Sequence, residues 1–208
     1  AAITTSGVEA YRQILDVYGP SEFVGYQTVE ADGRIVAVVN PDGLTDEERA
    51  DPRRTPHLEV FLDRTPFYAE GGGQVGDIGT ITTPTGVLRV IDTTPALPGL
   101  HRHVVEVLEG EVQPGQDTRA LVDAATRDAT RRNHTGTHLL QAALREVVGP
   151  HVHQQGSYVG PDRLRFDLNH HAPLSADQLE RVENLVNEEV LSNQAVRAYE
   201  TTMDHARE

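Results

Sequence analysis

Arg131-Arg132-Asn133-His134-Thr135-Gly136-Thr137-His138-Leu139-Leu140 lies inside the longest helical pattern of the chain, which runs from Asp123 to Val148 and stops at Gly149-Pro150. N-terminal to it, from Glu22 to about Val122, the pattern has a period of two. The switch of period divides the 208 residues into a β module and an α/β module, an α+β organisation. His134 and His138 are four residues apart, so on a helix both imidazoles lie on one face and can reach one point. Two ligands on one element is what a metal ion needs.

The β module predicts strands at Glu22–Glu30, Arg34–Asn40, His57–Asp63, Pro66–Glu70, Asp77–Thr83, Gly86–Thr94, His101–Glu109 and Asp117–Val122. Ala31-Asp32-Gly33 reads as a hairpin turn between the first two, and Pro84-Thr85-Gly86 and Glu109-Gly110-Glu111 as further turns. Short strands with Gly and Pro turns and no intervening helix argue for a small antiparallel barrel. Asn40 to Thr55 reads as a solvated loop. A short helix, Ser6 to Tyr18, precedes the strands, with Ser6 as N-cap and Gly19-Pro20 as its stop; it resembles the tail of a longer element. In the long helix, Leu140, Leu144, Val147 and Val148 form the expected buried stripe. After it come strands His151–Val159 and Leu164–Leu168, turned by Gly160-Pro161-Asp162. The capping box Ser175-Ala176-Asp177-Gln178 then opens a helix that should bury Leu179, Val182, Leu185, Val186 and Val190. Val196–Glu200 is a last candidate strand. The reading is residues 1–20 as a helical stub, 21–122 as the barrel and 123–208 as helix–strand–strand–helix.

Composition bounds the chemistry. No stretch approaches the roughly 20 apolar residues of a membrane span, and the first ten residues do not read as a signal peptide. With no Cys there is neither a disulfide nor a thiolate ligand, and a cytoplasmic location is the expectation. The net charge of −14 argues against a stand-alone nucleic-acid binder, although arginines cluster at Arg53-Arg54 and between Arg127 and Arg132.

Each motif has a plain alternative. His134/His138 is weakly specific in a chain with ten histidines and can be a polar helix face. Thr135 stands where a metalloprotease helix carries its glutamate base, so an activated water would depend on the metal or on another base. Gly71, Gly73 and Gly76 satisfy G-x-G-x-x-G, but a strand follows, Asp77-Ile78-Gly79-Thr80-Ile81, which excludes the dinucleotide fingerprint. Gly71-Gly72-Gly73-Gln74 therefore reads as a close backbone approach to a ligand or as a bulge or barrel turn. In His151-Val152-His153-Gln154-Gln155-Gly156-Ser157, alternation puts His151, His153 and Gln155 on one face and Gln154 on the other, in a strand placed to aim an amide or simply in a polar edge strand. His101, His103, His170 and His171 read as surface or loop histidines.

Together these stretches resemble the alanyl-tRNA synthetases and, more distantly, the free-standing alanyl-tRNA editing proteins. The resemblance is carried by Tyr11-Arg12 with Gly19 to Tyr26, by Thr65 to Asp77, by Arg132 to Leu140, and by Gln155-Gly156-Ser157 with Leu164-Arg165-Phe166-Asp167. It implies a translation-factor-like β-barrel followed by an α/β editing domain that hydrolyses Ser or Gly wrongly esterified to alanine tRNA. It implies zinc bound by His134 and His138, with two further ligands from a Cys-x-x-x-His beyond Glu208, so that the editing domain is truncated and the chain alone holds zinc weakly and hydrolyses little. Gln154 matches a catalytic-pocket glutamine; Gly71, Gly72, Gly73 and Gln74 match a substrate-approaching loop, and Thr135 and Thr137 match pocket hydroxyls. The implied partners are the acceptor end of alanine tRNA and the rest of a synthetase chain, whose aminoacylation domain would use ATP and Mg. The alternative is a barrel that docks tRNA or another domain without chemistry. A third reading, a two-His hydrolase, would take Asp167 as its carboxylate ligand.

Overall fold

The computed structural model describes residues 7–41, 57–195 and 201–205. Helix α1 spans Val8–Tyr18, with Gly7 at its N-cap position and the Gly19 N–H closing on Leu15 O at 2.9 Å; the expected cap Ser6 lies outside the described residues. The strands are β1 (Glu22–Phe23), β2 (Glu30–Val39), β3 (Leu58–Leu62), β4 (Arg64–Thr65), β5 (Gly79–Thr82), β6 (Gly86–Leu97), β7 (Leu100–Gly110) and β8 (Asp117–Val122), followed by β9 (Gln154–Val159) and β10 (Leu164–Leu168). Helices α2 (Ala124–Val147) and α3 (Ala176–Ser192) flank that last pair. Six strands close into an antiparallel barrel in the order β2-β3-β7-β6-β5-β8, as the period-two reading required. No helix among the described residues is long and apolar enough to cross a membrane.

The barrel owes its two hydrophobic clusters to β3, which is buried on both faces. Leu58, Val60 and Leu62 point inward to Ile35, Phe67, Ile81, Leu88, Val90 and Val105. Phe61 points outward and is covered by Tyr11 and Ile14 of α1 with Leu100 and Val39. Burying each such side chain contributes roughly 1.5–3 kcal/mol. Glu59 shares that outer face, and its carboxylate is buried with partners: the Tyr11 hydroxyl donates to it at 2.7 Å and Arg102 at 3.2 Å. Burial is the main cause that raises the Tyr11 hydroxyl above its ordinary pKa, which keeps it a donor.

Several local expectations are corrected. Asp32-Gly33 is not a hairpin turn: β2 runs straight through it, pairing with β8 up to Arg34↔Asp117 and with β3 from Ile35↔Leu62. The glycine is needed there for closeness, since a Cβ at Gly33 would stand 2.8 Å from Arg64 O. The tight hairpin is instead Pro98-Gly99, between β6 and β7, where Gly99 has φ +81°. Of Glu22–Glu30, Glu22–Phe23 is a short strand paired in parallel with Arg64–Thr65 and Glu30 opens β2, while Pro66–Glu70 is irregular, its N–H groups going to the Thr65 hydroxyl, the Asp77 carboxylate and Thr93 O. β7 continues through Gly110, so the 109–111 turn falls later, at Pro114-Gly115. β9 begins at Gln154, not His151. Of the expected α2 stripe Leu144 is fully buried and Leu140, Val147 and Val148 are half-buried. In α3, Val182 is buried whereas Leu179 and Val190 are more than half exposed; its capping box is present as expected. Val196–Glu200, Arg53-Arg54 and nearly all of the Asn40–Thr55 loop lie outside the described residues.

The chain divides into two compact units, Ala1–His134 with Gly156–Phe166, and Thr135–Gln155 with Asp167–Glu208. The first holds α1, the barrel, the opening turns of α2 and the β9–β10 turn. In the second, Ala143, Leu144, Val152 and Val182 are the buried apolar residues among those described.

His170 and His171 lie in a loop, but His101 and His103 are not surface histidines: both are in β7, and His103 is fully buried. Its Nδ1–H donates to Val60 O at 2.9 Å, and the Thr65 hydroxyl, 2.8 Å from Nε2, donates to it when the ring is neutral, so both nitrogens of the neutral ring are satisfied. Burial lowers its pKa to about 4. The unfolded chain therefore takes up a proton near pH 6.5 that the folded chain refuses until about 4. The stability is complete above pH 6.5 and falls by about 1.4 kcal/mol per pH unit as the pH drops toward 4. Urea unfolding at pH 5 should accordingly give a stability about 2 kcal/mol below that at pH 7 from this group. His103→Gln should flatten that slope, and a slope unchanged by the substitution would remove His103 as its source.

Candidate functional site

The inner face of α2 starts with polar residues. Asp123 caps the helix by accepting from Thr126 N–H at 2.9 Å, and Arg127 and Thr130 are buried one and two turns on. Arg127 is 8% exposed and its partner Asp77 7%. The guanidinium donates from Nε to both Asp77 oxygens (3.2 and 3.1 Å) and from Nη2 to Asp77 and Pro66 O. Its Nη1 reaches Gly25 O at 3.1 Å. Asp77 also accepts from Tyr68 N–H at 2.6 Å. One ion pair thus joins the turn after β1, the segment Pro66–Tyr68, the end of the glycine run and α2.

The glycine run is a tight turn docked on β9. Gly71 and Gln74 exchange backbone bonds at 3.1 and 3.0 Å, Val159 N–H donates to Gly73 O at 2.8 Å, and Val75 N–H donates to Val159 O at 3.0 Å. Gly73 has φ +83° and a Cβ there would stand 2.4 Å from Ser157 Oγ, so no other residue fits. The close approach expected of the run is made to the protein's own strand. The turn presents Gln74, 9% exposed, to α2, where its Oε1 accepts from His134 Nδ1 at 2.6 Å. An amide oxygen can only accept, so His134 donates from Nδ1, and in the neutral ring the lone pair is then on Nε2. Asn133 donates to Gly160 O at 2.7 Å and ties the same turn of α2 to the β9–β10 turn.

Beside this contact lies a cleft of about 570 Å³ lined by Phe23, Tyr26, Tyr68, Gln74, Arg131 and His134, among others. Burial is the largest cause that raises the Tyr68 hydroxyl above its usual pKa; it stays protonated and donates to Gly71 O at 3.1 Å.

Of the sequence-predicted site residues, the first unit brings together Gly71, Gly72, Gly73, Gln74 and His134. Thr135, Thr137, His138 and Gln154 belong to the second unit, where Thr137 is buried and the other three are exposed. Among the described residues no group of three or more His, Cys, Asp or Glu could hold a metal ion, which leaves the Asp167 reading without a complete ligand set. Sequence reasoning missed Arg127 and the aromatic lining. The signal was present: in a chain with only 5% aromatics, Phe23–Tyr26 and Phe67-Tyr68 sit in two of the stretches that carry the resemblance.

Comparison with known proteins agrees with that resemblance. Residues 2–126, more than half of the chain, match the family model for tRNA synthetases class II (A). The chain is 45% identical over 193 residues to the alanine–tRNA ligase of Alkaliphilus oremlandii, covering 93% of the chain and 22% of that protein. It is 44% identical over 203 residues to that of Cereibacter sphaeroides (98% and 22%) and 42% identical over 205 residues to that of Thermus thermophilus (99% and 23%). The chain thus spans less than a quarter of the length of these relatives.

The ion pair yields a test by contrast. Asp77→Ala leaves a buried guanidinium unpaired and should cost about 3–5 kcal/mol in chemical denaturation. Asp117→Ala removes an exposed pair with Arg34 and should cost less than about 1 kcal/mol. Equal effects would mean that the buried pair has no special role.

Proposed function

Because the chain belongs to the tRNA synthetases class II (A), we propose that it is the part of an alanine–tRNA ligase that carries the editing region, which hydrolyses Ser or Gly esterified in error to alanine tRNA. The observation that supports this most is the 2.6 Å contact of His134 Nδ1 with the Gln74 amide oxygen, which fixes the orientation of the imidazole. His138, four residues on along α2, supplies a second imidazole on that helix. Two imidazoles suit zinc, and among the described residues no group of three or more His, Cys, Asp or Glu completes a set; the reading therefore requires a Cys-x-x-x-His from a longer chain.

On this reading His134 and His138 hold the metal and Gln74 fixes the His134 tautomer from outside, the role outer hydrogen-bond partners play in zinc sites. Zinc bound there supplies a Lewis acid that polarises the ester and lowers the pKa of water. Gln154, exposed at the start of β9, contacts the substrate, and the hydroxyls of Thr135 and Thr137 serve the pocket at which larger amino acids are sieved out. The Gly71–Gln74 turn serves as scaffold as well as pocket edge, since the Gly71 and Gln74 N–H groups bond within the turn and Gly73 O accepts from β9. The substrate is the acceptor end of alanine tRNA in the cytoplasm. ATP-dependent ligation, with Mg, belongs to parts of the relatives that this chain does not match.

Two measurements test the proposal: release of Ser from Ser-tRNA(Ala) and zinc content after dialysis. The chain alone should give little of either. A version extended through the Cys-x-x-x-His should gain both, and His134→Ala or His138→Ala in it should abolish them. Gln74→Ala in the extended version should weaken zinc about 10–100-fold. Inactivity of the extended version would sink the hydrolase reading and favour a barrel that only docks.

A further inference from the structure

The second unit holds a histidine pair that the hydrolase reading does not use. His151 stands just before β9 and His170 just after β10, at the open end of that two-stranded sheet. His151 Nε2 and His170 Nδ1 are 3.1 Å apart. The ring centroids are 5.4 Å apart and the planes 29° from parallel, so the two nitrogens lie between the centroids and the rings meet nitrogen to nitrogen. In this arrangement one proton joins the pair. With the proton of each neutral ring on its other nitrogen, Nδ1 of His151 and Nε2 of His170, two lone pairs face one point.

The surrounding backbone fixes the two segments that carry the rings. The Asn169 side chain accepts from His153 N–H at 2.6 Å and donates to His151 O at 3.1 Å, and the Asn169 N–H donates to His153 O at 3.3 Å. Val152, between the two histidines of that segment, is fully buried. The His151 ring sits against the turn that ends α2, where a Cβ at Gly149 would stand 2.8 Å from His151 Nδ1. The segments are thus ordered before any ligand arrives, which lowers the entropy cost of binding.

The spacing and the donor type both suit a metal ion. Zinc lies about 2.0–2.1 Å from an imidazole nitrogen, which sets two tetrahedral ligands about 3.3 Å apart. Rotation of two rings open to solvent supplies the difference from 3.1 Å. Neutral imidazole suits zinc, copper and nickel, whereas magnesium and calcium call for oxygen ligands. Among the described residues no group of three or more His, Cys, Asp or Glu completes a closed site, so the remaining coordination positions fall to water.

We propose that His151 and His170 form a two-imidazole clamp for a divalent transition-metal ion, which ties together the open end of the β9–β10 sheet. The clamp shares no residue with the hydrolase reading and does not rest on it.

The test is a Zn²⁺ titration of the whole chain, followed by ¹⁵N-histidine NMR so that each ring reports its own occupancy. His151 Nε2 and His170 Nδ1 should shift together along one binding curve, and Mg²⁺ should move neither. In His151→Ala the His170 signal should need at least about tenfold more Zn²⁺, and in His170→Ala the His151 signal likewise, because the second ligand of a chelate acts at high effective concentration. His171→Ala should leave both curves where they are. Zn²⁺ should also slow amide exchange at the histidine-bearing ends of β9 and β10 in the parent chain and not in His151→Ala. Shifts confined to one ring, an unchanged His170 curve in His151→Ala, or an equal loss in His171→Ala would each overturn the clamp and leave the pair as an imidazole hydrogen bond. Amide exchange unaffected by bound Zn²⁺ would overturn the tie between the strands. Failure of Ser-tRNA hydrolysis in the extended chain, with the paired shifts intact, would remove the hydrolase reading and leave this one standing.

Discussion

One guanidinium sets the geometry of the first unit. Arg127 has its donors aimed at Asp77, Pro66 O and Gly25 O, and Asp77 holds the Tyr68 amide in return. A buried ion pair is weak evidence for net stability, because desolvation offsets most of its attraction. Its consequence here is placement. Three irregular segments that have no strand ladder to fix them are held by one side chain, and that side chain belongs to the helix carrying His134. His134 stands seven positions after Arg127, two helical turns along one face, so what fixes the first also orients the second.

The second constraint is the approach of Gly73 to Ser157. Two backbone bonds between the glycine run and Val159 draw the turn onto β9, and the absence of a Cβ permits it. Gln74 follows directly and is thereby held against His134. The pocket role that resemblance assigns to this loop is thus joined by a positioning role. A side chain 9% exposed and bonded to an imidazole has little surface left for a substrate, but it can decide which nitrogen of His134 carries the proton.

The barrel, the long helix and the α3 capping box were legible in the sequence because alternation, a 3.6 period and cap chemistry are local signals. The exceptions are instructive. Asp32-Gly33 has turn chemistry, yet β2 passes through it because the strand changes partners there, a tertiary event that no window of sequence encodes. His103 read as a surface or loop histidine, but Val60 O and the Thr65 hydroxyl, both distant in sequence, make a buried neutral imidazole acceptable. At the site, Gln74 and His134 were each singled out but not as a pair. Sixty positions separate them, and the turn that joins them depends on Arg127, which reads in sequence as one more surface arginine.

The account stands on Gln74 holding His134 in a single tautomer, and imidazole nitrogen NMR reads that directly. In ¹⁵N-histidine-labelled, metal-free protein above pH 7, His134 should show a protonated Nδ1 and an unprotonated Nε2, with a slowly exchanging Nδ1–H. Gln74→Ala should lower the Nδ1-protonated fraction of His134 and speed exchange of that proton while the signals of His103 stay in place. A His134 already averaged in the parent chain, or protonated on Nε2, would contradict the account.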